Sequence, residues 1–118
     1  MTAAVTIYGI KACDTMKKAR AWLEAEGAPF QFHDYKTAGA PREKLEAWAA
    51  EVGWETLLNR AGTTFRGLPD EDKQGLDEAK ALALMTAKPS LIKRPVLEGA
   101  GRLLVGFKPE TYAAAFKR

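Results

Sequence analysis

The feature that most constrains this chain is a change of hydrophobic period near its amino end. Ala4-Val5-Thr6-Ile7-Tyr8 is a short β-branched and aromatic run closed by Gly9, which reads as a buried strand followed by a turn. From Asp14 to Glu26 the apolar residues instead recur at helical spacing. Met16, Ala19 and Leu23 form an inner stripe, with Lys17, Lys18, Arg20 and Glu24 outside it. Gly27 is placed to cap that helix, and Phe30 and Phe32, alternating with Gln31, His33 and Tyr35, predict a second strand. A βαβ unit with parallel strands follows from the right-handed crossover rule.

The rest of the chain divides by pattern. Between about residues 41 and 88, Leu45, Trp48, Ala49 and Val52 mark one helix, Leu57 and Leu58 a short one, and Ala79, Leu82, Ala83 and Leu84 another. Together they predict a helical insertion. Gly62-Thr63-Thr64-Phe65-Arg66-Gly67-Leu68-Pro69 carries too many turn formers for regular structure and is expected to be a loop. After Pro89, Arg94-Pro95-Val96-Leu97, then Gly99-Ala100-Gly101, then Arg102 to Phe107 predict a β-hairpin, and Pro109 opens a last helix with Tyr112, Ala113 and Phe116 on its apolar side. The order is βαβ, helices, ββα. At 118 residues, one domain spanning residues 1–118 is expected.

Composition narrows the function. Eighteen basic against fifteen acidic residues leave a net charge of +3, too slight and too interspersed for a nucleic-acid surface, so anion affinity is expected at a local site. No apolar run reaches membrane-spanning length, and the amino end has no signal-peptide pattern, so a cytoplasmic protein without a membrane partner is expected. One cysteine, Cys13, rules out an internal disulfide, a cysteine-built zinc site and a two-thiol couple within the chain. One histidine, His33, with no local partner argues against a histidine-driven hydrolase.

Cys13 is the candidate nucleophile. A cysteine just before a helix sits where unpaired N–H groups and the positive end of the helix dipole favour the thiolate. Lys11, Lys17 and Lys18 add positive charge nearby, Thr15 a hydroxyl, and Asp14 an opposing negative charge. A free cysteine is more often a small buried hydrophobe. The position behind Gly9, at a strand-to-helix turn, favours the functional reading. Trp22, Trp48 and Trp54 follow helical faces and are assigned to packing, and His33, on an alternating strand, is kept out of the site.

Two segments carry a family resemblance: Tyr8-Gly9-Ile10-Lys11-Ala12-Cys13-Asp14-Thr15-Met16-Lys17-Lys18-Ala19 and Leu91-Ile92-Lys93-Arg94-Pro95-Val96-Leu97. The chain resembles the arsenate reductase/Spx family of thioredoxin-fold proteins, most of all its YffB-type subgroup. Phe32 to Tyr35, Gly53 to Asn59 and Gly62 to Arg66 extend the match over nearly the whole length. The resemblance implies an α/β, thioredoxin/glutaredoxin-like fold with a mixed four-stranded sheet. It also implies a cis Pro95 beside the reactive cysteine, and Arg94 as an oxyanion-binding arginine whose planar fork suits a carboxylate or an arsenate oxygen.

Departures from the family pattern limit the chemistry. Gly9 stands where the reductases carry a histidine, Asn59 where they carry a second arginine, with Arg60 adjacent, and Met16 where Spx-type regulators have the second cysteine of Cys-x-x-Cys. The resemblance therefore implies a thiol handled by glutathione as co-substrate, with no metal and no tightly bound cofactor. Cys13 is the catalytic residue, and Lys11, Thr15, Asn59, Arg60, Arg94 and Pro95 are the expected substrate-binding positions. The expected partners are glutathione and either glutaredoxin or an oxidised protein, acting on a monomer. Two alternatives stay open: a glutathione- and glutaredoxin-coupled arsenate reductase, and an Spx-like regulator that binds RNA polymerase.

Overall fold

A computed structural model describes residues 5–11 and 13–116. In chain order the elements are β1 (Val5–Gly9), α1 (Asp14–Ala25), β2 (Phe30–Asp34), α2 (Tyr35–Ala38), α3 (Arg42–Val52), α4 (Trp54–Leu57), α5 (Thr63–Arg66), α6 (Asp70–Lys73), α7 (Glu78–Ala87), a 3-10 turn (Pro89–Leu91), β3 (Val96–Glu98), β4 (Leu104–Val105) and α8 (Pro109–Phe116). The chain separates into two compact units, one built from the segment up to Ala38 and the segment from Arg94 onward, the other from Gly39–Lys93.

The first unit is a four-stranded mixed sheet in the order β2-β1-β3-β4. β1 lies inside the sheet, parallel to β2 and antiparallel to β3, and is mostly buried, as its near-continuous apolar sequence requires. Val5, Ile7, Met16, Ala19, Leu23, Ala28, Leu97, Leu104 and Tyr112 form its core, so the stripe read for α1 is the buried one. α1 ends in a Schellman cap: Gly27 has φ 69°, its N–H donates to Glu24 O at 3.1 Å, and Ala28 N–H donates to Leu23 O at 3.0 Å. Trp22 packs edge-on to Tyr112 at 5.5 Å and against Phe116 at 5.6 Å, a structural role as expected.

Two sequence expectations need correction. β2 stops at Asp34 and does not run on to Tyr35, because Asp34 Oδ1 accepts the Lys36 N–H at 2.9 Å and caps the turn α2, leaving Tyr35 buried. The segment from Gly62 to Pro69 also contains regular structure: Gly62 and Gly67 flank the single helical turn α5, closed by Arg66 N–H to Gly62 O at 3.2 Å and Gly67 N–H to Thr63 O at 2.9 Å. The expectation for Ala4 falls outside the described residues.

The second unit is helical. α3 buries Leu45, Trp48 and Ala49, and α7 buries Ala81, Leu82 and Met85. Asp77 caps α7 by accepting Lys80 N–H at 2.8 Å. Leu58 and Ile92 form a single antiparallel bridge, flanked by Lys93 N–H to Leu57 O at 2.7 Å and Asn59 N–H to Leu91 O at 2.8 Å. No helix among the described residues is long and apolar enough to cross a membrane.

Candidate functional site

Strand register brings three distant segments of the first unit to one end of its sheet. Tyr8, near the end of β1, is paired with Val96 at the start of β3, and Val96 is paired with Val105 at the end of β4. The turn leaving β1 toward Cys13, the Arg94–Pro95 step entering β3 and the Gly106-Phe107-Lys108 turn leaving β4 therefore share that end. Gly106 N–H donates to Pro95 O at 2.8 Å and ties the last two together. The Arg94–Pro95 peptide is cis.

Cys13 is the N-cap residue of α1, with extended backbone (φ −81°, ψ 130°). Its N–H donates to Ile10 O at 3.2 Å and its carbonyl accepts Lys17 N–H at 3.0 Å, so the turn is closed on both sides. The thiol is half-buried. Burial pushes its pKa up, but the Met16 N–H, the Arg94 side chain, the Thr15 N–H and the Arg94 charge together outweigh burial and hold the thiol below the ordinary cysteine value. Neither N–H closes into a cap hydrogen bond on the sulfur, so they act as oriented dipoles at the helix start.

A cleft of about 480 Å³ opens beside this thiol, lined by Thr15, Arg94, Val105, Gly106, Phe107, Lys108 and Thr111. Because Thr15 and Arg94 both act on the sulfur and both line the cleft, Cys13 stands at its margin. The structure thus brings Cys13, Thr15, Arg94 and Pro95 together. Lys11 is exposed and is not one of the residues lining the cleft. Asn59 and Arg60 belong to the second unit. Asn59 is half-buried on its backbone bond to Leu91, and the exposed Arg60 lies over the Trp54 ring at 5.6 Å. His33 is not among the groups that set the Cys13 pKa; its ring packs on Tyr8 at 4.9 Å.

Sequence reasoning missed Phe107, Lys108 and Thr111. A signal was present in the order glycine, aromatic, lysine, proline: Gly106 (φ 83°) turns the chain, and Pro109 starts α8 and leaves Lys108 on the turn. Only the register reveals that this turn lies near Cys13.

Sheet order, helix placement and a cysteine at the start of α1 facing an Arg–cis-Pro step define a thioredoxin/glutaredoxin-like fold carrying a single-thiol site. The chain belongs to the ArsC family, whose model matches residues 8–115. It is similar to a solved structure described as the YffB (PA3664) protein, with 63% identity, a TM-score of 0.92, and coverage of 95% of this chain and 98% of that one. It is also similar to an arsenate reductase (ArsC) related protein from Brucella melitensis, with 57% identity, a TM-score of 0.77, and coverage of 100% and 98%. The global transcriptional regulator Spx of Streptococcus pneumoniae is 28% identical over 116 residues, 97% of this chain and 86% of that protein.

Proposed function

We propose that this protein is a glutathione-dependent thiol reductase in which Cys13 is the only nucleophile. The observation that carries the reading is the pairing of a thiol lowered by Arg94 and the α1 N–H groups with the absence of any second cysteine in the chain. The Cys13 thiolate attacks the glutathionyl sulfur of a mixed disulfide. That S–S bond breaks, a Cys13–glutathione disulfide forms, and the departing thiolate takes a proton from water. The thiolate of a second glutathione then attacks the glutathionyl sulfur, which yields oxidised glutathione and returns Cys13 as thiolate. Arg94 and the N–H groups of Thr15 and Met16 stabilise Cys13 both as attacking and as leaving group. Lys11, Asn59, Arg60 and Pro95 remain proposed substrate contacts.

Intact-mass analysis after incubation with oxidised glutathione tests the reading. One glutathionyl adduct, mapped to Cys13, is expected; a folded protein whose Cys13 stays unmodified removes it. Membership of the ArsC family favours arsenate reduction as a second reading. A glutathione- and glutaredoxin-coupled assay showing no Cys13-dependent arsenate turnover eliminates that one. Similarity to Spx favours a regulatory reading, which recovery of RNA polymerase with the tagged protein would support and failure to recover it would oppose.

A further inference from the structure

Tyr35 lies at the Cys13 end of the sheet, outside the groups that act directly on the thiol. It follows Asp34, the β2 residue paired with Gly9 at the end of β1, and the Asp34 cap on α2 leaves its side chain turned inward and only 3% exposed. Its ring stacks on Tyr8 at 6.4 Å and meets His33 edge-on at 5.8 Å. Tyr8 is paired in turn with Val96, two residues beyond Arg94, so the same register delivers Arg94 to this end. The Tyr8 hydroxyl donates to Glu98 Oε1 at 2.9 Å, whereas the Tyr35 hydroxyl has no hydrogen-bond partner among the described residues. A buried hydroxyl left without a bond costs stability, and its place in the fold calls for a reason. Burial and the Tyr8 phenol raise the Tyr35 pKa while the Arg94 charge lowers it, so the hydroxyl is neutral and within reach of the guanidinium's field. Arg94 thus acts on two groups, the Cys13 thiol and the Tyr35 hydroxyl.

We propose that Tyr35 is a positioning residue, its hydroxyl oxygen facing the Arg94 guanidinium and holding that side chain inward beside the Cys13 sulfur. The proposal rests on the thiol-reductase reading and adds to it a residue that acts on the thiol only through Arg94. A hydroxyl bound to no acceptor turns freely about its C–O bond, so its hydrogen points away from a nearby cation and its lone pairs point toward it. Neutrality matters here. A phenolate would pair with Arg94 and draw it from the sulfur, whereas a buried neutral phenol offers a dipole that orients the guanidinium and leaves its charge to the thiolate. Arg94 is half-buried, and without an inner anchor its charged end is drawn toward water. Phenylalanine at position 35 would keep the ring packing and remove the anchor.

Alkylation of Cys13 by iodoacetamide against pH tests the proposal, with Y35F set beside Y112F. Each variant removes from the first unit one buried hydroxyl that has no hydrogen-bond partner among the described residues and keeps the ring, so both are expected to fold. Burial acts on the Tyr112 hydroxyl, and Arg94 does not. Below the midpoint, Y35F should react about threefold more slowly than wild type, a midpoint about 0.5 pH unit higher, with the same plateau at high pH. Y112F should match wild type. R94M and the double variant R94M/Y35F should share one profile, because Tyr35 acts through Arg94. A Y35F profile equal to wild type, an equal shift in Y112F, or a Y35F shift of full size in the R94M background overturns the proposal. Alkylation needs no reductase activity, so the two ideas fail separately. A wild-type protein that forms no glutathione adduct while Y35F shifts the profile loses the reductase reading and keeps Tyr35 in its role. One that forms the adduct with the Y35F profile unmoved keeps the reading and loses the role.

Discussion

The thioether of Met16 occupies the space in which a side chain at Gly9 would begin. A Cβ on Gly9 would lie 2.2 Å from Met16 Sδ, 2.8 Å from Cε and 3.1 Å from Cγ, and Met16 is fully buried, with little room to withdraw. Two of the three positions at which this chain departs from the reductase and Spx patterns, Gly9 and Met16, are thus one packing arrangement. Met16 in place of a second thiol fills the volume that a histidine at position 9 would need, so Cys13 relies on Arg94 and the α1 N–H groups instead.

That relationship predicts a coupled pair of substitutions. G9A should cost about 1–3 kcal/mol by overpacking, and M16A about 2–5 kcal/mol by leaving a cavity. In the M16A background, G9A should cost far less than it does alone. Denaturant unfolding of the four proteins measures the coupling, and costs that simply add would show that the two sites do not share the space.

Cys13 should titrate below the ordinary thiol value of about 8.5, and R94M should raise it. Alkylation rate against pH reads both midpoints. Because the folded-state pKa is depressed, the thiolate favours the fold. Stability should rise as pH climbs from the folded pKa to the unfolded one and be level above that, and C13A should abolish the rise. A wild-type midpoint at or above 8.5 would remove the activated thiol from the account.

Tyr112 is fully buried in the core of the first unit, and its hydroxyl has no hydrogen-bond partner among the described residues. Burial raises its pKa, so its contribution is present below the unfolded value of about 10 and is lost as pH rises above it. Y112F should be neutral or stabilising by up to about 1 kcal/mol at neutral pH and should move alkaline unfolding to higher pH. Circular dichroism against pH decides.

Gly27 takes a left-handed conformation that other residues adopt at a cost. G27A should destabilise the protein by about 1 kcal/mol through the α1 cap alone, leaving the Cys13 alkylation profile unchanged. A shifted profile would mean that the far end of α1 controls the thiol.

Residues of regular period were legible in the sequence. Met16, Ala19 and Leu23 announced α1, Gly27 its end, and the strand runs at Val5 and Val96 the two halves of the sheet. Two of the four-residue turns were not legible: Thr63–Arg66 and Asp70–Lys73 each amount to one helical turn, too short for a periodic signal and set amid Gly62, Gly67, Pro69 and Gly75. Of the site, Cys13 and Thr15 could be placed from local pattern, because a helix start is a local event. Arg94 and the cis bond came only through family resemblance. Lys108 and Thr111 lie more than ninety residues from Cys13 and reach it through the pairing of Tyr8 with Val96 and of Val96 with Val105, which side-chain chemistry alone does not disclose.

Steady-state reduction of a glutathionyl mixed disulfide, with glutathione as the only reductant, tests whether Cys13 acts alone and is resolved by glutathione. Turnover proportional to wild-type protein, a Cys13–glutathione intermediate trapped when reduced glutathione is withheld, and complete loss of turnover in C13S are expected. A wild-type rate no greater than that of C13S would contradict this role of Cys13.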